Sequence, residues 1–157
     1  MTTLEENALA LLLEAIGPEP LPRSGNAAHA HLAYRLGRAG WSVWGEVQAP
    51  LDREARIDIV ARRDRITIAL EIDRGRPKRS TFEKLAAMRA DLRVACYLLD
   101  KPLVREPPEG VRALRLPARP PTEEEAAFRG YGRRAFRMSD GKTPPDLCAL
   151  LRLPRTA

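Results

Sequence analysis

Two apolar runs, 56–61 (RIDIVA) and 65–73 (RITIALEID), are separated only by a short polar stretch around Arg63 and Asp64. Apolar residues recur in them at every second position, a period that a strand satisfies and a helix does not. The junction is too short for anything but a tight turn, so the two runs read as a β-hairpin. Along 65–73, Ile66, Ile68, Leu70 and Ile72 share one face, and Thr67, Ala69, Glu71 and Asp73 share the other. A turn at Arg63–Asp64 pairs Asp58 with Ala69 and leaves Asp58 diagonal to Glu71, at ~7–8 Å between backbones. A turn one residue further on sets Asp58 directly opposite Glu71. Either register gathers Asp58, Glu71 and Asp73 on one patch. Residues 41–48 (WSVWGEVQ) read as a neighbouring strand, and Glu46 joins the patch if that strand pairs with 56–61 in a suitable register.

The flanking sequence supplies helices. Thr3 and Glu6 form a Thr-x-x-Glu capping box before a helix over 3–16, with Leu9, Leu12, Leu13 and Ile16 on one face and Gly17-Pro18 as its stop. Pro18, Pro20 and Pro22 make an extended connector. A second helix is expected over 26–39, with Asn26 as N-cap. Ser80 and Glu83 read as another capping box, opening a helix over 81–91. Residues 92–99 (LRVACYLL) form an apolar strand and 110–116 a fifth. The order α-α-β-β-β-α-β-β describes an α/β domain, a mixed sheet flanked by helices.

Beyond 101 the character changes: nine of the 14 prolines lie there. Residues 1–116 are therefore read as one α/β domain (core about 26–116), and 117–157 as a basic, proline-rich C-terminal extension with short helices capped by Thr122-x-x-Glu125 and Thr143-x-x-Asp146. No apolar run approaches the ~20 residues of a membrane span, and the N-terminus lacks the basic and small-residue pattern of a secretory signal. Two cysteines, Cys96 and Cys148, make neither a disulfide scaffold nor a zinc site, which points to a reducing, cytoplasmic setting.

The net charge is +6, and 23 of the 27 cations are arginine. Arginine grips phosphate bidentately and never loses its charge, so a nucleic-acid partner is one reading of this bias. A GC-rich coding sequence is the other.

Two carboxylates ~5 Å apart repel by roughly 3 kcal/mol at an effective dielectric of about 20. The acidic patch therefore calls for an arginine partner, a raised pKa or a cation. Oxygen ligands from Asp and Glu suit Mg²⁺ or Mn²⁺. Directly after the acids come Arg74, Arg76, Lys78 and Arg79, then the start of a helix carrying Lys84. Cations and a helix N-terminus beside metal-binding acids suit a phosphodiester. A second basic stretch, Phe128–Arg137, interleaves aromatics and glycines with four arginines, Arg133 and Arg134 among them, in a pattern able to grip a nucleic-acid backbone. His29 and His31, two residues apart on a helix, point ~200° from one another and cannot share an ion.

Residues 40–100 resemble the PD-(D/E)xK phosphodiesterase superfamily, the restriction-endonuclease-like nucleases, whose core is αβββαβ. Arg56-Ile57-Asp58-Ile59-Val60 is similar to the element that carries the metal-binding Asp, and Ala69-Leu70-Glu71-Ile72-Asp73 to the Glu-x-Lys strand. Asp73 stands where that family has lysine. Lys84, with Lys78 second, is the residue to replace it from the following helix. Glu46 is similar to an upstream Glu that many members carry. The resemblance implies a magnesium- or manganese-dependent endonuclease acting on DNA. Asp58, Glu71, Asp73 and Glu46 would bind metal, and Asp58, Glu71, Asp73 and Lys84 would be catalytic. Arg74, Arg76, Lys78, Arg79, Arg133 and Arg134 would contact the nucleic acid. The Glu-x-Asp departure also fits a catalytically silent relative that binds nucleic acid or a protein. A homodimer, or a partner docked through the C-terminal extension, is compatible with either.

Overall fold

The computed structural model describes residues 3–51, 55–98, 101–103, 105–129 and 136–138. The first helix, α1 (Leu4–Ile16), begins where its capping box predicts. The Thr3 hydroxyl accepts from the Glu6 N–H at 3.1 Å, and the Thr3 N–H donates to Glu6 Oε2 at 2.9 Å. The buried stripe is Ala8, Leu12 and Ile16. Leu13, expected on that face, is 46% exposed, because the row turned inward is the i, i+4, i+8 row from Ala8. The connector contributes a short strand, β1 (Leu21–Pro22).

The second helix, α2 (Gly25–Arg38), buries Ala27, Ala28, Ala30, Leu32, Ala33 and Leu36. Ser24, not Asn26, holds its N-cap position. The Ser24 hydroxyl donates to the Glu125 carbonyl at 3.4 Å and Asn26 Nδ2 to that of Phe128 at 3.3 Å, so both side chains tie down later chain rather than cap the helix.

Strands β2 (Ser42–Gln48), β3 (Arg56–Arg63) and β4 (Ile66–Asp73) form an antiparallel meander. Helix α3 (Arg79–Ala87) then leads to β5 (Leu92–Tyr97), parallel to β4, and β6 (Arg112–Arg115) lies parallel to β5. Five strands of the mixed sheet lie in the order β6-β5-β4-β3-β2, and a sixth completes it. After β7 (Ala118–Arg119) and α4 (Glu123–Ala127), β8 (Phe136–Met138) pairs with the far side of β2.

One core lies between the sheet and α1/α2 and includes Leu12, Leu32, Leu36, Val43, Ile59, Ala61, Ile68, Leu70, Ile72, Val94 and Cys96. A smaller one under α3 holds Ile57, Ala69, Phe82, Leu85, Ala95 and Val111. The alternation read along β4 holds, with Ile68, Leu70 and Ile72 in the first core and Ala69 in the second.

Two further local readings are corrected. The hairpin turn is Asp64–Arg65, with Arg63 paired to Ile66, because Asp64 adopts a left-handed φ of 54° that a short polar residue tolerates. Helix α3 starts at Arg79 with Lys78 at the N-cap and no side-chain cap, so the Ser80–Glu83 box does not form. Glu83 instead pairs with Arg79 at 2.9 Å.

Strand β7 and helix α4 fall in the stretch read as an extension, and they pack onto the body. β7 runs parallel to β1. Thr122 and Glu125 form the expected capping box. Glu125, 3% exposed, also takes Arg119 bidentately at 2.7 and 2.9 Å and His31 Nε2 at 2.9 Å. The Arg119 guanidinium, ahead of the Thr122 N–H, pulls the Glu125 carboxyl down to about 2. The expected helix after Thr143, and Cys148, lie outside the described residues. Among the described residues no helix is long and apolar enough to cross a membrane.

Candidate functional site

The β3–β4 pairing runs from Arg63 opposite Ile66 to Ile59 opposite Leu70. At the next rung, where the shifted turn brings Asp58 to Glu71, side chains take over from the backbone ladder. The Asp58 N–H donates to Glu71 Oε2 at 3.2 Å, and the Ile72 N–H donates to Asp58 Oδ2 at 2.8 Å. On the other side of β3, Gly45 pairs with Ile59 and Val47 with Ile57. Glu46 therefore stands across from Asp58, and it does so in the left-handed region, at φ 54°. Here β3 changes sides: Ile59 belongs to the α1/α2 core, whereas Ile57, two residues away, belongs to the α3 core. Asp58 sits at this crossover.

Glu71 is 3% exposed. Its Oε1 pairs with Lys84 Nζ, which reaches back from α3 and also donates to the Arg56 carbonyl at 3.0 Å. Burial, then the neighbouring Asp58 carboxylate, drives the Glu71 carboxyl well above the usual range against the pull of Lys84. Burial disfavours the Lys84 ammonium, but Glu71 in contact and the charges of Asp58 and Asp73 outweigh it, and the net shift is upward. Asp73 lies at the end of β4, where its Oδ2 accepts from the Thr81 hydroxyl at 2.9 Å. Burial raises its carboxyl, with that hydrogen bond opposing.

A residue absent from the sequence-derived site enters from α2. One ligand atom from each of His29, Glu46 and Asp58 lies within 4.8 Å of the others, and all three side chains are half-buried. His29 Nδ1 is 3.9 Å from Glu46 Oε1. Burial holds the His29 pKa below its ordinary value, against the Asp58 charge and a hydrogen bond to the Asp58 backbone, a shift in the direction of the neutral imidazole that metals bind. The two histidines part as their spacing requires, His31 going to Glu125. What escaped the sequence is that one of them faces the acids. No pattern in α2 signals this, since it depends on how the helix is rotated against the sheet.

The donor set of His29, Glu46 and Asp58 fits a divalent cation. Glu71 and Asp73, expected as ligands, fall outside this trio. Both Glu71 oxygens are engaged, and Asp73 is bonded to Thr81.

Arg74, Arg76, Lys78 and Arg79 are all exposed around the start of α3. Arg79 is paired with Glu83. Arg74 lines a cleft of about 350 Å³ together with Arg23, Asn26, Phe128 and Arg129. Arg133 and Arg134 lie outside the described residues. Cys96, beside Ile72 on β5, is a core thiol that burial, then the nearby carboxylates, push up to about 12.

Compared with known proteins, the chain matches no family model, no curated protein and no solved structure.

Proposed function

We propose that this chain is a divalent-metal-dependent nuclease that hydrolyses DNA phosphodiester bonds on a restriction-endonuclease-like core. The observation that carries the reading is Lys84 reaching from α3 to Glu71 on the rung beside Asp58. An acid pair on adjacent strands thereby regains, from the next helix, the ammonium that Asp73 displaces from the strand.

Asp58 and Glu46 offer carboxylates to Mg²⁺ or Mn²⁺. A bound divalent ion supplies charge neutralisation at a phosphate and lowers the pKa of water. Lys84 brings positive charge to the same rung, where it favours the negative charge that builds in phosphoryl transfer. The bond from Thr81 to Asp73 fixes the end of β4 against the first turn of α3. Arg74, Arg76 and Lys78, exposed on the loop and helix start, suit the flanking phosphates.

The test is cleavage of duplex, branched and single-stranded DNA with Mg²⁺ or Mn²⁺. Activity is expected to require the metal and to vanish in Asp58→Ala and Glu71→Ala. If the folded protein cuts none of these substrates with either ion, the reading fails.

The engagement of both Glu71 oxygens, and of Asp73 by Thr81, favours a second reading: a catalytically silent nuclease-like module that binds nucleic acid or a protein partner. DNA binding that is equally tight in EDTA and in Glu71→Ala, with no cleavage, would establish it.

A further inference from the structure

We propose that His29, Glu46 and Asp58 form a mixed nitrogen–oxygen metal site, with His29 a direct ligand, that takes Mn²⁺ in preference to Mg²⁺. This deepens the metal-dependent reading above and stands on the geometry of three side chains from three elements. The ligand atoms of α2 His29, β2 Glu46 and β3 Asp58 already lie within 4.8 Å of one another, close enough to converge on one ion. His29 lies on the helix that packs against the sheet, and its Nδ1 is 3.9 Å from Glu46 Oε1.

The chemistry of the donors selects the ion. Mg²⁺ takes oxygen ligands in a near-ideal octahedron and gives up its waters reluctantly. Imidazole suits first-row transition ions, and Mn²⁺ accepts it alongside carboxylates. An ion held only by Asp58 and Glu71, as the sequence resemblance implies, would have oxygen donors alone. Glu71 is instead committed to the Asp58 N–H and to Lys84.

Mn²⁺ bound to the unmodified full-length chain, observed by pulsed electron paramagnetic resonance, should show coupling to a single imidazole nitrogen. His29→Gln should remove that coupling and weaken Mn²⁺ binding by more than about tenfold, since even outer-shell partners of a metal cost that much. Mg²⁺ affinity should change by less than about threefold. Glu71→Gln should leave Mn²⁺ binding nearly intact. Bound Mn²⁺ without nitrogen coupling, no Mn²⁺ binding at all, or Mn²⁺ binding lost in Glu71→Gln but kept in His29→Gln would each overturn the site. The two readings fail separately. A protein that binds Mn²⁺ through His29 yet cuts no DNA loses only the nuclease assignment. One that cuts DNA with no nitrogen on its manganese loses only this site.

Discussion

The backbone N–H of Asp58 is held by the carboxylate of Glu71, at 3.2 Å to Oε2. The first acid is thus positioned through its main chain by the second, while its own carboxylate accepts from the Ile72 N–H at 2.8 Å. The two acids close a rung of the sheet, and each variant at this rung alters geometry as well as charge.

Lys84 is the counterweight to Glu71. Lys84→Met leaves a buried carboxyl beside Asp58 with no ammonium partner, which should cost about 3 kcal/mol in urea unfolding. Glu71→Gln in the same chain removes the unpartnered acid and keeps an oxygen for the Asp58 N–H. The double variant should recover more than about 1 kcal/mol of that loss. Strictly additive effects would show that the pair is not coupled.

Glu46 is a non-glycine residue at φ 54°. Glu46→Gly and Glu46→Ala both remove its carboxylate, but only glycine relaxes the backbone. The glycine variant should be the more stable of the two by about 1 kcal/mol, and both should lose Mn²⁺ binding. Equal melting temperatures would mean that the conformation carries no strain.

Glu125 predicts an acid limit to stability. Its carboxyl is depressed to about 2 in the folded chain, chiefly by Arg119, whereas an unfolded glutamate titrates near 4.3. The unfolded state therefore takes up the proton first as pH falls. The contribution, up to about 3 kcal/mol before screening at half-exposed Arg119, is complete above pH ~4.3 and drains away towards pH ~2. His31, whose pKa is lowered first by burial, acts in the same direction below its unfolded value. Glu125→Gln should lower stability at pH 7 and flatten its slope between pH 5 and 2, as read by denaturant midpoints across that range. An unchanged slope would remove Glu125 from the acid transition.

Arg74 and Arg76 are exposed beside the site. If they meet phosphates, each alanine substitution should reduce the slope of log binding constant against log salt by about 1 and weaken binding to all DNA sequences alike. An unchanged slope in the double variant would place the DNA path elsewhere.

The hairpin was legible because alternation is local, and so were the Thr3 and Thr122 boxes, each within one helical turn. The turn position was not, since Arg63–Asp64 and Asp64–Arg65 both preserve which residues share a face. The left-handed φ of Asp64 distinguishes them. The start of α3 escaped because no side chain caps it, and the Thr81 hydroxyl in its first turn bonds to Asp73 on another element. Lys84 pairs with Glu71 from the helix that follows β4, a contact that depends on how that helix docks against the sheet. His29 needed the rotation of α2 against the sheet, a property of tertiary packing. The side change at Asp58 needed the backbone of Glu46, whereas strict alternation assigns Ile57 and Ile59 to one face.

That side change has a mechanical corollary. Slackening beneath α3 frees Ile57, slackening beneath α1 and α2 frees Ile59, and the carboxylate between them moves in either case. Substitutions deep in either hydrophobic layer, remote from every charged group, will register as a shift of Asp58 relative to Glu46 and Glu71.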